Sequence, residues 1–234
     1  MSAPIGEIRA CVFDAYGTLF DVHSSARAER ERLGERWQAL AELWRLKQLQ
    51  YTWLRGLGAR HADFRQVTAD ALDFSMESLG IDDPALRARL LDLYERLSCY
   101  PEAPAALRAL KAGGLRLAIL SNGTPEMLAS AVRHAGLDGL LDEVLSVESV
   151  GIYKPHPSVY RLAADRLACS PRHIGFVSAN GWDAAFAQAN GMRALWCNRG
   201  GQPAERLPDP PEHVVTDLDG LPSLLLTSSP ENTE

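Results

Sequence analysis

The chain has no long apolar run, no paired cysteines, no excess of basic charge and no internal repeat. No apolar stretch in its 234 residues approaches the roughly 20 needed to span a bilayer, so no membrane partner is expected. The start, Met1-Ser2-Ala3-Pro4-Ile5-Gly6-Glu7, lacks a basic segment followed by an apolar one, and no signal peptide is expected. Cys11, Cys99, Cys169 and Cys197 are scattered, without Cys-x-x-Cys spacing. Cys11 and Cys197 sit inside apolar runs and read as small core residues; this usage fits a reducing cytoplasm. Lys and Arg number 24 against 30 Asp and Glu, a formal net charge of -6, which gives no reason to expect nucleic acid as a partner. What is present is the balance of a globular protein with a sizeable core: 46% hydrophobic and 23% charged residues. The length is slightly long for one domain and short for two large ones.

One stretch organises the rest: Ile8-Arg9-Ala10-Cys11-Val12-Phe13-Asp14-Ala15-Tyr16-Gly17-Thr18-Leu19-Phe20. An apolar run stops at a carboxylate, and a glycine and a hydroxyl follow. It reads as a buried strand that delivers Asp14 to the C-terminal edge of a sheet, where open α/β sheets bind ligands. Asp is a poor strand residue and is rarely buried without a partner. Taken alone, Asp14 is either a nucleophile or a carboxylate that caps a turn.

From about Ser24 to Leu97 the composition is helical, with Pro84 its one proline. A first helix is expected over Ser25–Leu33. A second, Trp37–Arg55, has apolar residues most of the way round and is expected to be buried on more than one face. Asp63 and Gln66 resemble a capping box for a third, whose inward stripe is Phe64, Ala71, Leu72 and Leu79. In a fourth, Leu86, Leu90, Leu93 and Leu97 share one face. These four helices form a module inserted after the first strand. From Tyr100-Pro101-Glu102-Ala103-Pro104 onward, helices and strands alternate. Helix Ala105–Ala112 ends at Gly113-Gly114, and strand Leu115–Leu120 follows. Thr124 caps a helix opened by Pro125. Val144–Val147, Ile174–Val177, Ala194–Cys197 and His213–Val215 are further strands, with helices from Lys154-Pro155-His156-Pro157 through Ala168 and from Asp183 to Asn190. Alternation of this kind means a parallel sheet of βαβ units. The polar tail Ser228–Glu234 is expected to be disordered.

Parallel strands place their C-terminal ends on one edge. Asp14 and Thr18, Ser121 and Asn122, Lys154, and Ser178, Asn180 and Asp183 therefore converge. In this order, Asp14-x-x-Gly-Thr, Ser121-Asn-Gly, Lys154-Pro and Ser178 to Asp183 resemble the haloacid dehalogenase superfamily. Phe13 to Ser24, Leu43-Trp44-Arg45, Tyr51-Thr52-Trp53-Leu54-Arg55 and Val177-Ser178-Ala179-Asn180 are similar to its L-2-haloacid dehalogenase branch over nearly the whole chain. The resemblance implies a Rossmann-like α/β core of residues 1–20 and 101–234 and a four-helix cap domain of residues 21–100. It implies hydrolysis of short L-2-haloalkanoic acids, and of haloacetates, to 2-hydroxy acids with inversion.

Chemistry tests the branch. Phosphatases of the superfamily place a second Asp two residues after the nucleophile to protonate the leaving group; here that residue is Tyr16. Halide leaves without a proton, so the site suits carbon–halogen cleavage. Ser178-Ala179-Asn180-Gly181-Trp182-Asp183 likewise has too few carboxylates for a hard-cation site, so neither a metal nor another cofactor is expected. The reaction expected is attack by Asp14 on the halogen-bearing carbon, then attack by water on the aspartyl ester. Both reactants of the first step are anions, and their repulsion at about 4 Å is of order 1–4 kcal/mol. Lys154 compensates. Ser121 and helix N-terminal amides can hold the substrate carboxylate, and Thr18 fixes Asp14. Asp183, steadied by Ser178 and Asn180, orients Lys154; either Asp183 or Lys154 activates the water.

By resemblance, Arg45, Asn122 and Trp182 cradle the halide, and Tyr16, Phe64, Trp182 and Tyr160 contribute to the substrate pocket. Residue type alone reads Trp182 and Phe64 as core, and Tyr160 as packing. Arg45 could instead pair with Glu42 on the surface, worth only about 0.3–0.5 kcal/mol. His23 reads as a structural hinge residue and His156 as a turn residue. The competing readings are a metal-dependent phosphatase of the same superfamily and a silent binding protein. Surplus apolar surface on the second helix points to a homodimer.

Overall fold

The computed structural model describes residues 7–226, so Met1–Gly6 of the N-terminal start and the tail Ser228–Glu234 considered above lie outside the described residues. Six strands form one sheet in the order β3-β2-β1-β4-β5-β6, every neighbouring pair parallel. They are β1 (Ala10–Phe13), β2 (Arg116–Ser121), β3 (Glu143–Ser146), β4 (Ile174–Ser178), β5 (Arg193–Cys197) and β6 (His213–Val215). The run Ala10-Cys11-Val12-Phe13 is buried throughout, as a central parallel strand covered on both faces must be. The order reverses between β1 and β4, and a crevice opens there at the carboxyl ends of the strands.

Helices α7 (Pro125–His134), α8 (Pro157–Arg166) and α9 (Gly181–Ala189) alternate with the strands, and α6 (Ala103–Ala112) precedes β2. Thr124 caps α7 by accepting from the Met127 amide at 3.2 Å, with Pro125 opening the helix as expected. Strand β3 lies one residue earlier than expected, because Val147 already belongs to a 3-10 turn. A short α10 (Leu221–Leu225) carried no signal in the sequence reading.

Between β1 and α6 lie α1 (Ser24–Ala28), α2 (Arg30–Leu33), α3 (Arg36–Leu57), α4 (Phe64–Ser78) and α5 (Pro84–Tyr94). The insertion therefore has five helices rather than four. The single helix expected over Ser25–Leu33 breaks at Glu29, whose buried carboxylate is drawn to Arg89 at 2.6 Å. Helix α3 is buried on one face in the single chain, not on several: Leu40, Trp44, Gln48 and Thr52 are covered, whereas Leu46, Leu54 and Leu57 are 57%, 56% and 87% exposed. Asp63 caps α4 through the Gln66 amide at 2.8 Å, but the Gln66 side chain turns to Asp70, so the box is half-formed. Helix α5 ends at Tyr94, and its buried face is Leu86, Leu90 and Tyr94 in place of Leu93.

The chain enters and leaves the insertion through paired segments. Phe20 bridges Cys99 antiparallel, the Asp21 amide donates to Ser98 O at 2.9 Å, and the Tyr100 amide donates to Leu19 O at 2.9 Å. This anchors the helices just past β1, over the crevice. Among the described residues no helix is long and apolar enough to cross a membrane. Cys11 and Cys197 are buried in the core, and all four cysteines are free thiols.

Candidate active site

Asp14 follows β1 directly, and its amide extends the ladder to Val177 O at 2.9 Å. The chain then folds back at once. The amides of Leu19 and Phe20 both donate to Ala15 O, and Gly17, at φ 95°, takes a conformation that L side chains rarely adopt. The turn brings Thr18 beneath the carboxylate it follows: Thr18 Oγ1 donates to Asp14 Oδ2 at 3.2 Å and accepts from the Ala179 amide at 2.8 Å. One hydroxyl thus ties the nucleophile loop to the loop after β4.

Lys154 Nζ stands between two carboxylates, 3.1 Å from Asp14 Oδ1 and 2.8 Å from Asp183 Oδ2. The side chains of Lys154, Asp14 and Asp183 are 1%, 8% and 0% exposed. Burial pulls the Lys154 ammonium down, but Asp14 and Asp183 outweigh it and hold its pKa above the usual lysine value. Burial raises the Asp183 carboxyl above the ordinary 3.8, assisted by Asp14 and opposed by Lys154 and Tyr160. Both directions follow from one cation set between two anions: the lysine keeps its proton, and one carboxylate is incompletely neutralised.

Two expected contacts are different. Neither Ser178 nor the Asn180 side chain steadies the Asp183 carboxylate. Asn180 Nδ2 donates to Asp14 Oδ2 at 3.0 Å, and Ser178 Oγ accepts from the Asn180 amide at 3.1 Å, because the first turn of α9 carries Asp183 past them to the far side of Lys154. Tyr160 does the steadying, donating from its hydroxyl to Asp183 Oδ1 at 2.7 Å. Tyr160 is fully buried and does not line the cavity, so its assignment to substrate contact is corrected: it reaches the site only through Asp183.

The cavity over Asp14 is lined by Tyr16, Arg45, Leu49, Phe64, Ser121, Asn122, Lys154, Asn180 and Trp182, and measures about 10 Å³. That is room for about one water. Arg45 descends from α3 and does not pair with Glu42. Its Nη2 donates to Tyr16 O at 2.9 Å and its Nη1 to Gln48 Oε1 at 2.9 Å. Asn122 Oδ1 accepts from the Lys154 amide at 3.1 Å, and Ser121 Oγ accepts from the Gly123 amide at 3.1 Å. Tyr16 stacks on Tyr94 at 5.5 Å and lies over Gly123, where an added Cβ would come within 2.8 Å of the ring. Burial raises the Tyr16 phenol well above 10, so it keeps its proton. His23 precedes α1 at the mouth of the insertion, and His156 caps α8; neither lines the cavity. Leu46 also lies outside it.

Three contributors were missed from sequence. Gln48 is buried beside Arg45, donating to Thr68 Oγ1 at 2.8 Å and to Tyr94 Oη at 3.0 Å. Its place three residues after Arg45, on the same helix face, was the available signal. Leu49 lines the cavity, and Tyr94 backs Tyr16. Among the described residues no three His, Cys, Asp or Glu side chains gather as a metal ion would require.

Tyr160 gives this arrangement a pH signature. The role expected of Asp183 needs the ionised carboxylate, so activity is expected above its pKa and is expected to be lost as pH falls through it. Because that pKa is raised, the acidic limb of kcat is expected above the ordinary carboxylate value. The Tyr160 hydrogen bond opposes the rise, so Tyr160→Phe is expected to move the limb to higher pH. An unmoved limb in a pH–rate profile contradicts the assignment.

A family model for haloacid dehalogenase-like hydrolases matches residues 8–191. The chain is 47% identical to (S)-2-haloacid dehalogenase 1 of Pseudomonas sp. strain CBS-3 over 220 residues, which is 94% of this chain and 97% of that protein. A solved dehalogenase superposes with a TM-score of 0.93 at 43% identity, covering 96% of this chain and 100% of its own. An L-2-haloacid dehalogenase of Xanthobacter autotrophicus, solved with chloropropionic acid covalently bound, superposes with a TM-score of 0.84 at 37% identity, covering 93% and 98%.

Proposed function

The chain belongs to the haloacid dehalogenase-like hydrolases, and we propose that within them it is an (S)-2-haloacid dehalogenase, cleaving the carbon–halogen bond of short L-2-haloalkanoic acids and haloacetates. The observation that carries the reading is the cavity's lining. Asp14 is its one acidic residue. A phosphate ester needs a proton for its alkoxide, and the remaining candidates are poor acids: the Tyr16 phenol and the Lys154 ammonium both have raised pKa values. Halide departs unprotonated.

In this reading Asp14 Oδ attacks C2 and displaces halide with inversion, forming an ester. Thr18 and Asn180 hold the carboxylate in line. Lys154 offsets the repulsion between the two anions. Ser121 receives the substrate carboxylate, and Arg45, Asn122 and Trp182 receive the halide. Tyr16 and Phe64 pack against the substrate carbon chain. Water then attacks the ester carbonyl. Lys154 keeps its proton and is a poor base, so Asp183 accepts the water proton through Lys154: the ammonium passes one proton to Asp183 as it takes one from water. As the tetrahedral intermediate collapses, Asp183 returns its proton through Lys154 to the departing C2 oxygen, giving the 2-hydroxy acid, and the proton left on the Asp14 carboxyl is released to solvent, restoring the carboxylate. Residues 21–100 act as a cap that closes water out of the displacement, over a core formed by residues 1–20 and 101–234.

The test is chloride release from L-2-chloropropionate. It is expected without added metal and undiminished by a chelator. Turnover of p-nitrophenyl phosphate that needs Mg²⁺, with no halide release, would replace this reading by the phosphatase one. The exposed Leu46, Leu54 and Leu57 of α3 support a homodimer, and four free thiols support a cytoplasmic location. A monomeric mass by light scattering, or recovery outside the cytoplasm on fractionation, contradicts these two statements.

A further inference from the structure

The inner cavity, at about 10 Å³, does not hold a 2-haloacid, so the site opens as substrate binds, and an alkyl chain beyond C3 needs further space past one of its walls. A second pocket of about 540 Å³ lies directly behind that wall, between α3 and α9, and Trp182 and Lys154 line both spaces. Lys154 is pinned by two carboxylates. Trp182 is only half-buried; edge-to-face packing against Trp53, with ring centroids 5.3 Å apart, holds it in place. Trp182 is therefore the movable part of the partition.

The outer pocket is apolar. Trp53, Ile152, Pro155 and Phe186 line it, and α3 leaves it open at Gly56. Glycine weakens a helix interior, and nothing here requires it: φ is ordinary, and an added Cβ would find its nearest neighbour, Ile152 Cγ1, at 4.0 Å. Its effect is the room it leaves. Glu205 stands at the pocket and disfavours a carboxylate there, whereas a hydrocarbon tail can pack on Trp53, Ile152, Pro155 and Phe186.

We propose that this outer pocket is a subsite for the alkyl chain of 2-haloalkanoic acids longer than propionate, joined to the inner cavity when Trp182 turns off Trp53. The inference rests on the dehalogenase reading and extends it to a class of substrate. The carboxylate and C2 stay over Asp14, and carbons from C4 onward pass Trp182. Trp53 and Gly56 then determine chain-length specificity without touching the reacting atoms.

The experiment measures kcat/KM for (S)-2-bromopropionate, -butanoate, -hexanoate and -octanoate with the wild type, Gly56→Phe and Trp53→Ala. Each methylene that enters the pocket is expected to raise wild-type kcat/KM by about fourfold until the pocket is filled. Gly56→Phe fills the space: the gain with length disappears while propionate turnover is retained, which also reports that the variant is folded. Trp53→Ala frees Trp182 and leaves the gain in place or steepens it. A wild type that turns over propionate but gains nothing from longer chains overturns the proposal, as does a gain that survives Gly56→Phe. Quenching of tryptophan fluorescence by octanoate, with propionate as the control, reads the pocket without catalysis. If no haloacid is turned over but octanoate quenches the wild type and not Gly56→Phe, the pocket holds and the dehalogenase reading fails; no octanoate binding to the wild type overturns the pocket itself.

Discussion

Asp14→Ala is expected to abolish halide release, lowering kcat by about 10⁴- to 10⁶-fold, without lowering the melting temperature. The two halves of that expectation share one cause. In the intact site a single lysine serves two buried carboxylates, so the cluster carries a net charge of minus one in a setting almost closed to water. Asp14 is held there by Lys154, Asn180 and Thr18, and in the proposed reaction it attacks from this position, sharing its one lysine with Asp183. Its removal leaves Lys154 and Asp183 as a balanced pair. The lost acceptor costs Asn180 and Thr18 one bond each, beside a cavity with room for a water to replace it. Active sites commonly carry such a conflict between function and stability. An Asp14→Ala protein that loses activity only because it unfolds contradicts this account; thermal denaturation of purified variant and wild type decides it.

Lys154→Met has the opposite profile. It removes the cation and leaves two carboxylates facing a buried gap, with the Phe176 ring 5.1 Å from the vacated position. Breaking a buried ion pair on one side costs about 3–5 kcal/mol, because the partner remains charged and desolvated or must take up a proton. Urea unfolding at neutral pH is expected to show a loss of that size, and turnover falls with it, since the anionic substrate now meets two uncompensated charges. The double variant Lys154→Met, Asp183→Asn separates the effects. Most of the stability returns, because the uncompensated Asp183 charge is gone and the asparagine can still accept from Tyr160 Oη. Activity does not return. A single variant as stable as the wild type would show that the lysine does not govern the electrostatics of the site.

The sheet and its edge were legible because their causes are local. Alternation of apolar strands with capped helices dictates parallel pairing, and parallel pairing gathers Asp14, Ser121, Lys154 and Asn180 at one end without any knowledge of distances. Side-chain direction beyond the strand ends was not legible. Asp183 and Asn180 are three residues apart, yet the first turn of α9 sends one carboxylate behind Lys154 and the Asn180 amide to Asp14. The Tyr160 bond to Asp183 closes over 23 residues, and the Gln48 bond to Tyr94 over 46. No periodicity encodes such pairs. The break at Glu29 has the same origin, since Arg89 arrives from a helix 60 residues later. The opposite error was reading apolar composition as burial on α3, where Leu46, Leu54 and Leu57 remain open in a single chain. Composition reports what a face can bury, not whether a partner has come to cover it.

The claim on which the rest depends is that Asp14 forms a bond to carbon. A single turnover in ¹⁸O-water, with enzyme in excess over L-2-chloropropionate, tests it directly. The account predicts ¹⁸O in the Asp14 carboxylate, found by mass spectrometry of the peptide that contains it, and an unlabelled 2-hydroxy acid, because water attacks the ester carbonyl and not C2. Label in the hydroxy acid, with Asp14 unlabelled, would mean that water displaced the halide itself and would contradict the account at its centre.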